Sequence, residues 1–598
     1  MDIHDHGVWV NENERRVRCK HCGKEMTGLN RLKRHLSGTS SRMTPCTQVT
    51  LTIREAFRDE VTKEESDLTA AKSKRVGEVQ MGNDHKRGRE EEEEEEDSSR
   101  KNESAENEFL LSNKAQKCIG RFFYEHCFDF SSVDSLSFRE MIAATSLVGE
   151  MKLKIPDSEE LNGCMLQEAV EEVQDHVNKI KDSWAITGCS ILLDAWVDQK
   201  GHDLVTFVAD SPAGPVYLNS FYVSDIKKDV AALTSLVYGV VEDVGVHNVV
   251  QIIACSTSGW VGELGQSFKS NNLNVFWSVS VSHCFELMLV EIVKMESFKY
   301  ILEKVSNITE FINNNREDSQ GMTVSSSEFE FVKPYLAAGT ILKAKNNLEA
   351  MVASPDWNKE EGTTVSTLVK DSSFWECVER LVKSTSPLIR SLHLFSTVYN
   401  SQHAGYVYDT MDGIKESIAK ELNNEELCYK PLWRVIDDVW NNHLHSPLHV
   451  AGYFLNPAAF YSTDFQNDTE VTTDFISALG YLVQECQVIA KIGRQLKMYR
   501  LGKGCFNEAS QADKITGVIP GEWWAQKASE HPELQSFAVK VLSQTCEGAS
   551  RYKLKRNVAE KLLLSKGVSP CEKQHLEELA FVHYNLHLQS SKLQSQTK

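Results

Sequence analysis

The stretch from Ser190 to Val293 constrains the fold of this chain more strongly than any other part of the sequence. Apolar and β-branched runs bounded by turn residues predict five strands there, namely SILLDAWVD, LVTFVAD, VYLNSFYVS, VVQIIAC and VFWSVSV. A helical pattern from Val230 to Val244 separates the third strand from the fourth, and a further helix follows each of the last two strands. The first three strands therefore form an antiparallel meander, and the remainder alternates helix with strand.

This order of elements is that of a ribonuclease-H-like fold, so we predict an α/β core of that kind. In such a core, acids at strand ends converge on divalent ions, because hard cations prefer carboxylate oxygens and phosphoryl chemistry uses two such ions close together. The first strand supplies one candidate, since its apolar residues Ile191–Leu193 lead directly into Asp194. The sequence thus predicts an acid of catalytic type at the end of this strand.

A second pattern, near the N-terminus, has the spacing of metal ligands. Two cysteines are separated by two residues, a histidine follows after twelve more, and another cysteine after a further ten. A zinc ion takes four such ligands in a tetrahedron. We predict one structural zinc bound by Cys19, Cys22, His35 and Cys46. In an alternative ligand set, His4 or His6 replaces Cys46.

The segment that contains these ligands is basic in an otherwise acidic chain. From Glu14 to Cys46 there are nine Lys or Arg against two Glu, whereas the whole chain has a net charge of −20. Such a local excess is typical of a phosphate-binding surface, with a helix able to enter the major groove of DNA. The residues predicted to contact DNA are Arg15, Arg16, Arg18, Lys20, Lys24, Arg31, Lys33 and Arg34. A zinc knuckle that serves only protein contacts is the alternative.

Residues 61–108 are polar and biased in composition. Two basic clusters, KSKR and HKRGR, precede a run of seven glutamates from Glu90 to Glu96. Such a segment has too little apolar surface to offset the entropy cost of ordering, so we predict a disordered tether. The basic clusters are either chance lysines of a solvated linker or a nuclear import signal. The candidate import residues are Lys72, Lys74, Arg75, Lys86, Arg87 and Arg89.

The length and composition set outer limits on the class of protein. A chain of 598 residues is too long for one compact core, so several domains are expected. Neither an apolar run of membrane-spanning length nor an apolar N-terminal signal is present, which favours an intracellular protein. Fifteen cysteines favour reduced thiols with one metal site over a disulfide framework. There is no Gly-rich phosphate loop, so we expect no nucleotide cofactor.

Three separate regions resemble, in order, the parts of plant transposase-like proteins of the hAT superfamily. The zinc pattern resembles a BED-type zinc finger, the block from DAWVD to FELMLVEI resembles the transposase core, and SQTC with HLEELAFVHYNLHLQ resembles the hAT C-terminal dimerisation region. The resemblance implies a homodimer and a ribonuclease-H-like core interrupted by a large all-helical insertion. The predicted boundaries are 1–60 for the finger, 61–108 for the linker, 109–187 for a helical region, 188–296 for the core, 297–513 for the helical insertion, 514–590 for the dimerisation region and 591–598 for the tail.

The same resemblance indicates which of the family's catalytic acids this sequence keeps and which it replaces. In hAT transposases two aspartates and one glutamate hold two metal ions, and Asp194 matches the first aspartate. Cys255 stands where the second aspartate is expected, and Tyr552 stands where the glutamate is expected. A neutral thiol is a poor ligand for magnesium. On a helix, the side chain of Glu547 would point about 140° away from that of residue 552, where the glutamate is expected. Glu560 is remote from that position in the sequence. We therefore expect no enzymatic cleavage, with Asp194 as a relic.

The C-terminal region contains broad apolar stripes at helical spacing. Stripes of this kind are usually part of an intramolecular core, so it is the resemblance that implies a dimer. The predicted dimerisation residues are Trp523, Trp524, Leu534, Phe537, Val541, Leu579, Phe581 and Tyr584.

Three histidines in the predicted insertion, His443, His445 and His449, are spaced like metal ligands. The acidic residues close to them in sequence are Asp437 and Asp438. Because carboxylate partners are otherwise missing nearby, we interpret all three as packing histidines.

Taken together, these patterns predict a nuclear, dimeric, zinc-dependent DNA-binding protein derived from a hAT transposase, with a role in transcriptional regulation and no cleavage activity. The regulatory role rests on analogy. One alternative is an active transposase, which would cleave DNA ends in a metal-dependent reaction. The other is a protein-interaction scaffold whose finger does not bind DNA.

Overall fold

In a computed structural model, the chain divides into two units, Met1–Phe138 and Arg139–Lys598. The structure describes residues 3, 6–11, 16–27, 29–37, 46, 48–50, 53–54, 57–58, 135–147, 164–270, 275–314, 329–354, 363–397, 402–466, 468–507, 518–565 and 569–597. The predicted linker and its import residues therefore lie outside the described residues. The domain boundaries predicted within the second unit stay predictions.

The N-terminal unit contains a three-stranded antiparallel sheet and a helix. Its elements are β1 (Gly7–Asn11), β2 (Arg16–Cys19), β3 (Glu25–Thr27) and α1 (Leu29–Ser37). The central strand β2 pairs with both neighbours. Val17 on β2 and Leu32 and Leu36 on α1 are fully buried. Because residues four apart share a helical face, both leucines hold α1 against the sheet.

The second unit is built around a mixed sheet of five strands in the order β6-β5-β4-β7-β8. In chain order its elements are α2 (Leu136–Leu147, which begins in the first unit), α3 (Cys164–Thr187), β4 (Cys189–Val197), β5 (Asp203–Asp210), β6 (Val216–Tyr222), α4 (Val230–Val244), β7 (Val249–Ala254), α5 (Gly259–Ser270), β8 (Phe276–Val279) and α6 (Val281–Lys294). Strands β4, β5 and β6 pair antiparallel, whereas β4, β7 and β8 run parallel. The predicted meander and the alternation of helix with strand are confirmed.

Strand β4 continues beyond the acid that was predicted to end it. The parallel pairing with β7 stops where Leu193 faces Ala254, but the antiparallel pairing with β5 continues until Val197 faces Asp203. The predicted strand SILLDAWVD agrees with β4, but Asp194 lies inside the strand and not at its end, because the ladder with β5 extends three residues beyond it.

The described residues between the sheet and the C-terminal region are almost entirely helical. The helices are α7 (Glu296–Asn314), α8 (Lys333–Lys343), α9 (Lys345–Ala353), α10 (Thr363–Lys370), α11 (Ser372–Thr397), α12 (Val407–Glu421), α13 (Glu426–Val439), α14 (Pro447–Leu455), α15 (Pro457–Phe460), α16 (Thr469–Leu482) and α17 (Cys486–Arg500). A π-helical turn, Trp440–Leu444, separates α13 from α14. Within the described part of the chain, no helix combines the length and the apolar character needed to span a bilayer.

The C-terminal region packs onto the central sheet. Its helices are α18 (Pro520–Lys527), α19 (Pro532–Leu542), α20 (Asn557–Leu564) and α21 (Pro570–Thr597). The residues that follow α19 are irregular and lie against β4 and β7. Ser190 Oγ donates to Gln544 Oε1 at 3.0 Å, and Gln251 Nε2 donates to the Thr545 carbonyl at 2.6 Å. The sheet and the C-terminal region therefore share one core.

Candidate metal and DNA-binding site

The first two predicted zinc ligands lie in a tight turn after β2. Cys19 ends β2, and the Gly23 N–H donates to the Cys19 carbonyl at 2.9 Å, which closes the turn around Cys22. Gly23 has a φ of 73°, a left-handed conformation that glycine adopts without strain. The Cys19 N–H in turn donates to the Lys24 carbonyl at 2.9 Å. The backbone of this turn thus fixes the two thiols.

The other two predicted ligands come from α1 and from the chain that follows it. His35 lies in the last turn of α1, and the Cys46 N–H donates to its carbonyl at 2.9 Å. Cys22 Sγ is 3.1 Å from His35 Nε2, Cys19 Sγ is 3.9 Å from Cys46 Sγ, and all four donor atoms lie within 4.8 Å of one another. Zinc–ligand bonds of about 2.0–2.3 Å with tetrahedral angles give separations of roughly 3.3–3.8 Å. This Cys3His cluster therefore supports one structural zinc.

The structure also decides the fourth ligand in favour of Cys46, which is fully buried with Cys19 and His35. His6 has a different partner, because its Nδ1 lies 3.0 Å from Nε2 of His21 and the two rings stack with centroids 5.2 Å apart. The alternative ligand set with His6 is therefore wrong, and His4 lies outside the described residues.

Basic residues adjoin the zinc ligands in the sequence. Arg18 on β2 and Lys20 and Lys24 in the turn after it are exposed, whereas Lys33 on α1 is half-buried. The structure does not describe Arg15 or the side chains of Arg16, Arg31 and Arg34. The predicted contact of these eight residues with DNA stays a prediction.

At the sheet, the parallel pairing of β4 with β7 places Asp194 beside Cys255. The Cys255 N–H donates to the Leu193 carbonyl at 3.1 Å, and the Ala195 N–H donates to Cys255 Sγ at 3.1 Å. Burial and then the charge of Asp194 raise the pKa of the Cys255 thiol to about 11. This thiol is therefore neutral near pH 7.

A guanidinium accompanies the buried carboxylate of Asp194. Arg556 Nη2 lies 3.7 Å from Asp194 Oδ1, and the same guanidinium lies over the ring of Trp196, 5.1 Å from its centroid. Burial raises the pKa of Asp194 above the usual aspartate value, and Arg556 offsets part of that rise. Arg556 therefore supplies a positive charge beside Asp194.

The residue in the predicted glutamate position binds an acid other than Asp194. Tyr552 is buried, and its side chain hydrogen-bonds to Asp210. Asp210 pairs with Ser190, whereas Asp194 pairs with Thr206. Four residues along a strand correspond to about 13 Å, so the Tyr552 hydroxyl binds well away from Asp194, although its ring shares a buried cluster with Leu192 and Trp196.

A cleft of about 450 Å³ opens at the carboxyl ends of the parallel strands. Its lining includes Cys255, Ser280, His283, Glu286, Glu547 and Arg551. Glu547 belongs to the irregular segment after α19, so its predicted position on a helix is wrong. The Gly548 N–H donates to Ser280 Oγ at 3.2 Å, which brings this segment to the end of β8. Cys255 therefore adjoins Asp194 and also shares the cleft with Glu547.

The side chains predicted for dimerisation pack inside the chain. Five of them belong to one buried core cluster, namely Trp523, Trp524, Leu534, Phe537 and Val541. Tyr584 is buried in a second cluster, whereas Leu579 and Phe581 are half-buried. Trp524 Nε1 also donates to the Leu455 carbonyl at 2.7 Å. Their predicted contact with a second copy stays untested.

The three histidines of the helical region have different surroundings. His449 is fully buried, with Nδ1 3.0 Å from the Leu444 carbonyl and Nε2 3.4 Å from Cys546 Sγ. This agrees with a packing role. For His445, however, the expected lack of carboxylate partners is wrong, because Glu470 and Asp474 on α16 approach its Nε2.

Two parts of the chain match known families. Residues 11–59 match the BED-like zinc finger family, and residues 156–308 match the family described as Domain of unknown function (DUF659). Together the two matches support a hAT-like, transposase-derived protein. No curated protein matches the sequence.

Sequence reasoning missed two residues at the sheet edge. Arg556 was not predicted to accompany Asp194, and Glu547 was not expected to line the cleft. The run KLKR before α20 contains a cation within reach of the sheet, but spacing alone cannot indicate which strand it meets. The irregular backbone at Glu547 depends on hydrogen bonds to β8, which no local pattern encodes.

Proposed function

We propose that this hAT-like protein is a nuclear, zinc-dependent DNA-binding regulator that acts by occupying DNA. The observation that carries the proposal is the Cys3His cluster with exposed Arg18, Lys20 and Lys24 beside it. A zinc ion would fix the small N-terminal unit, and the cations would bind phosphates and set its orientation on the duplex. Helix α1 is the candidate for reading the major groove.

The proposed role does not include cleavage. The strand order supports a ribonuclease-H-like core, in which cutting needs two metal ions held by converging acids. Cys255 offers a neutral thiol where the second acid is expected, and Arg556 already adjoins the carboxylate of Asp194. The positive charge of this guanidinium repels a divalent ion from the carboxylate.

Self-association and nuclear import complete the proposal. Support for a dimer comes from the resemblance of the C-terminal region to the hAT dimerisation region. Two fingers on one particle would raise a weak, salt-sensitive affinity through effective concentration. Import would use the basic clusters between residues 72 and 89.

The DNA-binding proposal is tested by titrating full-length protein into fluorescent duplex DNA at several salt concentrations. We expect binding that weakens as salt rises, and a Cys19→Ser, Cys22→Ser variant that loses at least tenfold in affinity because its finger cannot hold zinc. Equal binding by the variant, or no salt-dependent binding at all, would favour the protein-interaction scaffold.

The loss of cleavage is tested by Mn²⁺ binding measured by electron paramagnetic resonance, with Asp194→Asn as the comparison. We expect no bound Mn²⁺ that depends on Asp194. An active transposase would instead show Mn²⁺ that disappears in Asp194→Asn, together with metal-dependent nicking of DNA.

A further inference from the structure

We propose that His445, Glu470 and Asp474 form a second metal site, which binds one divalent ion of the zinc class in the Arg139–Lys598 unit. The ion would join the start of α14 to the first turns of α16. The proposal does not rest on the zinc finger or on DNA binding, because none of its residues belongs to the N-terminal unit.

The backbone on both sides of the site is well fixed. His445 lies between the π-helical turn and α14, and its N–H donates to the Trp440 carbonyl at 2.8 Å. The Trp440 ring packs against the His445 imidazole, with centroids 5.5 Å apart. Ser446, the next residue, caps α14 by accepting from the Leu448 N–H at 3.3 Å. The imidazole is therefore held in position by its neighbours.

The two acids come from one face of α16. Glu470 and Asp474 are four residues apart, so they lie one above the other on the helix. Helix α16 packs against α14, which brings both carboxylates to His445. The start of α16 is fixed by Asp468, whose Oδ1 accepts from the Val471 N–H at 2.9 Å. A rigid helix pair thus presents three donors to one point.

The three donor atoms lie close enough together to share one small divalent ion. His445 Nε2 lies 2.9 Å from Asp474 Oδ2 and 3.4 Å from Glu470 Oε1, and the three donor atoms lie within 4.8 Å of one another. Zinc bonds to nitrogen and oxygen of about 2.0–2.2 Å with tetrahedral angles give edges of roughly 3.3–3.6 Å. The distance to Glu470 lies in this range, whereas the 2.9 Å distance to Asp474 is shorter and would lengthen around an ion. Imidazole with two carboxylates suits zinc or a neighbouring transition metal better than magnesium or calcium. The fourth position would be open to water.

An ion pair between His445 and one carboxylate accounts for this arrangement less well than a bound metal ion does. One imidazole N–H donates to one acceptor, yet Nε2 faces carboxylate oxygens from two different residues. The second carboxylate oxygen of Glu470 lies 3.5 Å from the Tyr408 hydroxyl. Glu470 therefore directs one oxygen toward His445 and the other toward Tyr408. A metal ion uses both carboxylates at once, because each offers a separate lone pair to it.

The surroundings of the site are negative, which favours a cation. Asp409 and Asp412 lie on α12 nearby, and burial first and neighbouring carboxylates second raise the pKa of Asp409. For Asp412, burial raises the pKa, Lys415 lowers it, and Asp409 and Glu470 add to the rise. Lys415 itself is bound to Asp437, with Nζ 2.7 Å from Oδ1. A divalent ion at Glu470 would reduce the repulsion among these acids.

The test uses the full-length chain with Cys19→Ser and Cys22→Ser, so that the finger cannot contribute metal. After incubation with Zn²⁺ and removal of free metal, we expect about one zinc per chain by elemental mass spectrometry. Adding His445→Gln or Asp474→Asn should remove it. His443→Gln, a histidine two residues away and outside the three donors, is the matched control and should retain the zinc.

A second readout separates loss of metal from loss of fold. In the finger-disabled chain with the three donors intact, added Zn²⁺ should raise the midpoint of thermal unfolding, because an ion that binds only the folded state stabilises it. Co²⁺ in the same chain should give a weak spectrum without a thiolate charge-transfer band. The proposal is contradicted if this chain holds no zinc and shows no thermal shift, or if His445→Gln retains the metal.

Discussion

At the scale of single residues, the zinc ligands are the most sensitive positions of the N-terminal unit. Cys46→Ser removes a thiolate from a cluster in which Cys19, His35 and Cys46 itself are fully buried. We expect the variant to lose one equivalent of zinc, and the chemical shifts of the N-terminal unit to collapse toward unfolded values, because small zinc domains fold only with their metal. Elemental analysis and NMR measure both effects.

Cys486→Ser is the matched control for that substitution, since Cys486 is an exposed cysteine at the start of α17. It should keep both the zinc content and the spectrum. Loss of zinc in Cys486→Ser, or retention of it in Cys46→Ser, would contradict the ligand assignment.

The buried acid Asp194 gives a prediction about pH. Burial raises the pKa of Asp194 in the folded state above its value in the unfolded state, and Arg556 offsets part of this rise. The folded state therefore binds the proton of Asp194 more tightly than the unfolded state does. The stability of the wild type therefore falls as pH rises through the window between the two values. Asp194→Asn should remove this fall and unfold at a higher temperature than wild type near pH 7, with the difference shrinking in acid. Thermal unfolding across this pH range measures it.

Asp198→Asn is the control, because it should change stability near pH 7 in the opposite direction. At Asp198 burial raises the pKa, but the combined hydrogen bonds from the His202 side chain and from the backbone N–H groups of His202 and Lys200 outweigh it, so the pKa is lowered. The stability it contributes is present above the unfolded pKa and is lost as pH falls through the folded pKa. Asp198→Asn should therefore lower stability near pH 7. Parallel behaviour of the two variants would contradict this reading of Asp194.

How far residues were predictable from sequence depended on the distance between partners along the chain. The zinc ligands were found because a tetrahedral ion demands four donors and the spacing supplied them. The partners of His445 were missed because Glu470 and Asp474 come from a later helix, and only the packing of α14 on α16 brings them close. Arg556 was missed for the same reason, since the fold brings it to β4 from the C-terminal region.

At the scale of elements, the packing of α14 depends on Gly452, where the backbone of Ala404 passes close to the helix. A Cβ at Gly452 would collide with the backbone carbonyl of Ala404, which cannot yield as a flexible side chain does. We expect Gly452→Ala to lower the free energy of unfolding by about 1–3 kcal/mol, as overpacking does. Chemical denaturation measures the change.

Gly413→Ala is the matched control within a helix. Gly413 lies in α12, and a Cβ there meets no atom within 4 Å. Alanine should raise the free energy of unfolding by about 0.4–1 kcal/mol, because it restricts the unfolded chain without a clash. Equal effects of both substitutions would mean that α14 does not approach Ala404 as described.

Helix α18 gives a second prediction at this scale. Trp524 is fully buried, and its indole N–H donates to the Leu455 carbonyl, so it joins α18 to α14. Trp524→Ala should cost about 3–5 kcal/mol of stability through the cavity and the lost bond. Leu427→Ala is the control, because Leu427 is 87% exposed, and it should change stability by less than about 0.5 kcal/mol. A mild effect of Trp524→Ala would favour a surface role for this tryptophan.

Elements with local end signals were predicted well. Helix α4 begins and ends at the predicted residues because Asp229 accepts from the Ala231 and Ala232 N–H groups and Gly245, with a φ of 94°, follows its last residue. The segment after α19 could not be predicted in this way. Its irregular conformation is stabilised by hydrogen bonds to β4, β7 and β8, all distant in sequence.

At the scale of the whole molecule, the dimer remains a prediction from resemblance. Most of the proposed contact residues are buried in one chain, so a dimer would have to use neighbouring surface of the C-terminal region. We expect sedimentation equilibrium to give twice the chain mass of 67.5 kDa. A concentration-independent mass of one chain would contradict the dimer and leave the DNA-binding proposal intact.

Charge distribution makes a separate prediction about DNA affinity. Each phosphate contact adds about 0.9 to the slope of log affinity against log salt, so Arg18→Ala and Lys24→Ala should each reduce that slope by about 1. Lys200→Ala is the control, because Lys200 is an exposed lysine outside the N-terminal unit. Salt titrations of duplex binding measure the slopes. Unchanged slopes in both finger variants would remove these residues from the interface.

The central claim is that the zinc-stabilised finger recognises DNA. Selection of the full-length protein against random duplex DNA, with zinc, after zinc removal and with the Cys19→Ser, Cys22→Ser variant, tests it most directly. We predict an enriched motif with zinc only, absent from the variant, and palindromic if the protein is a dimer. Lack of enrichment under every condition would contradict the claim and favour the protein-interaction scaffold.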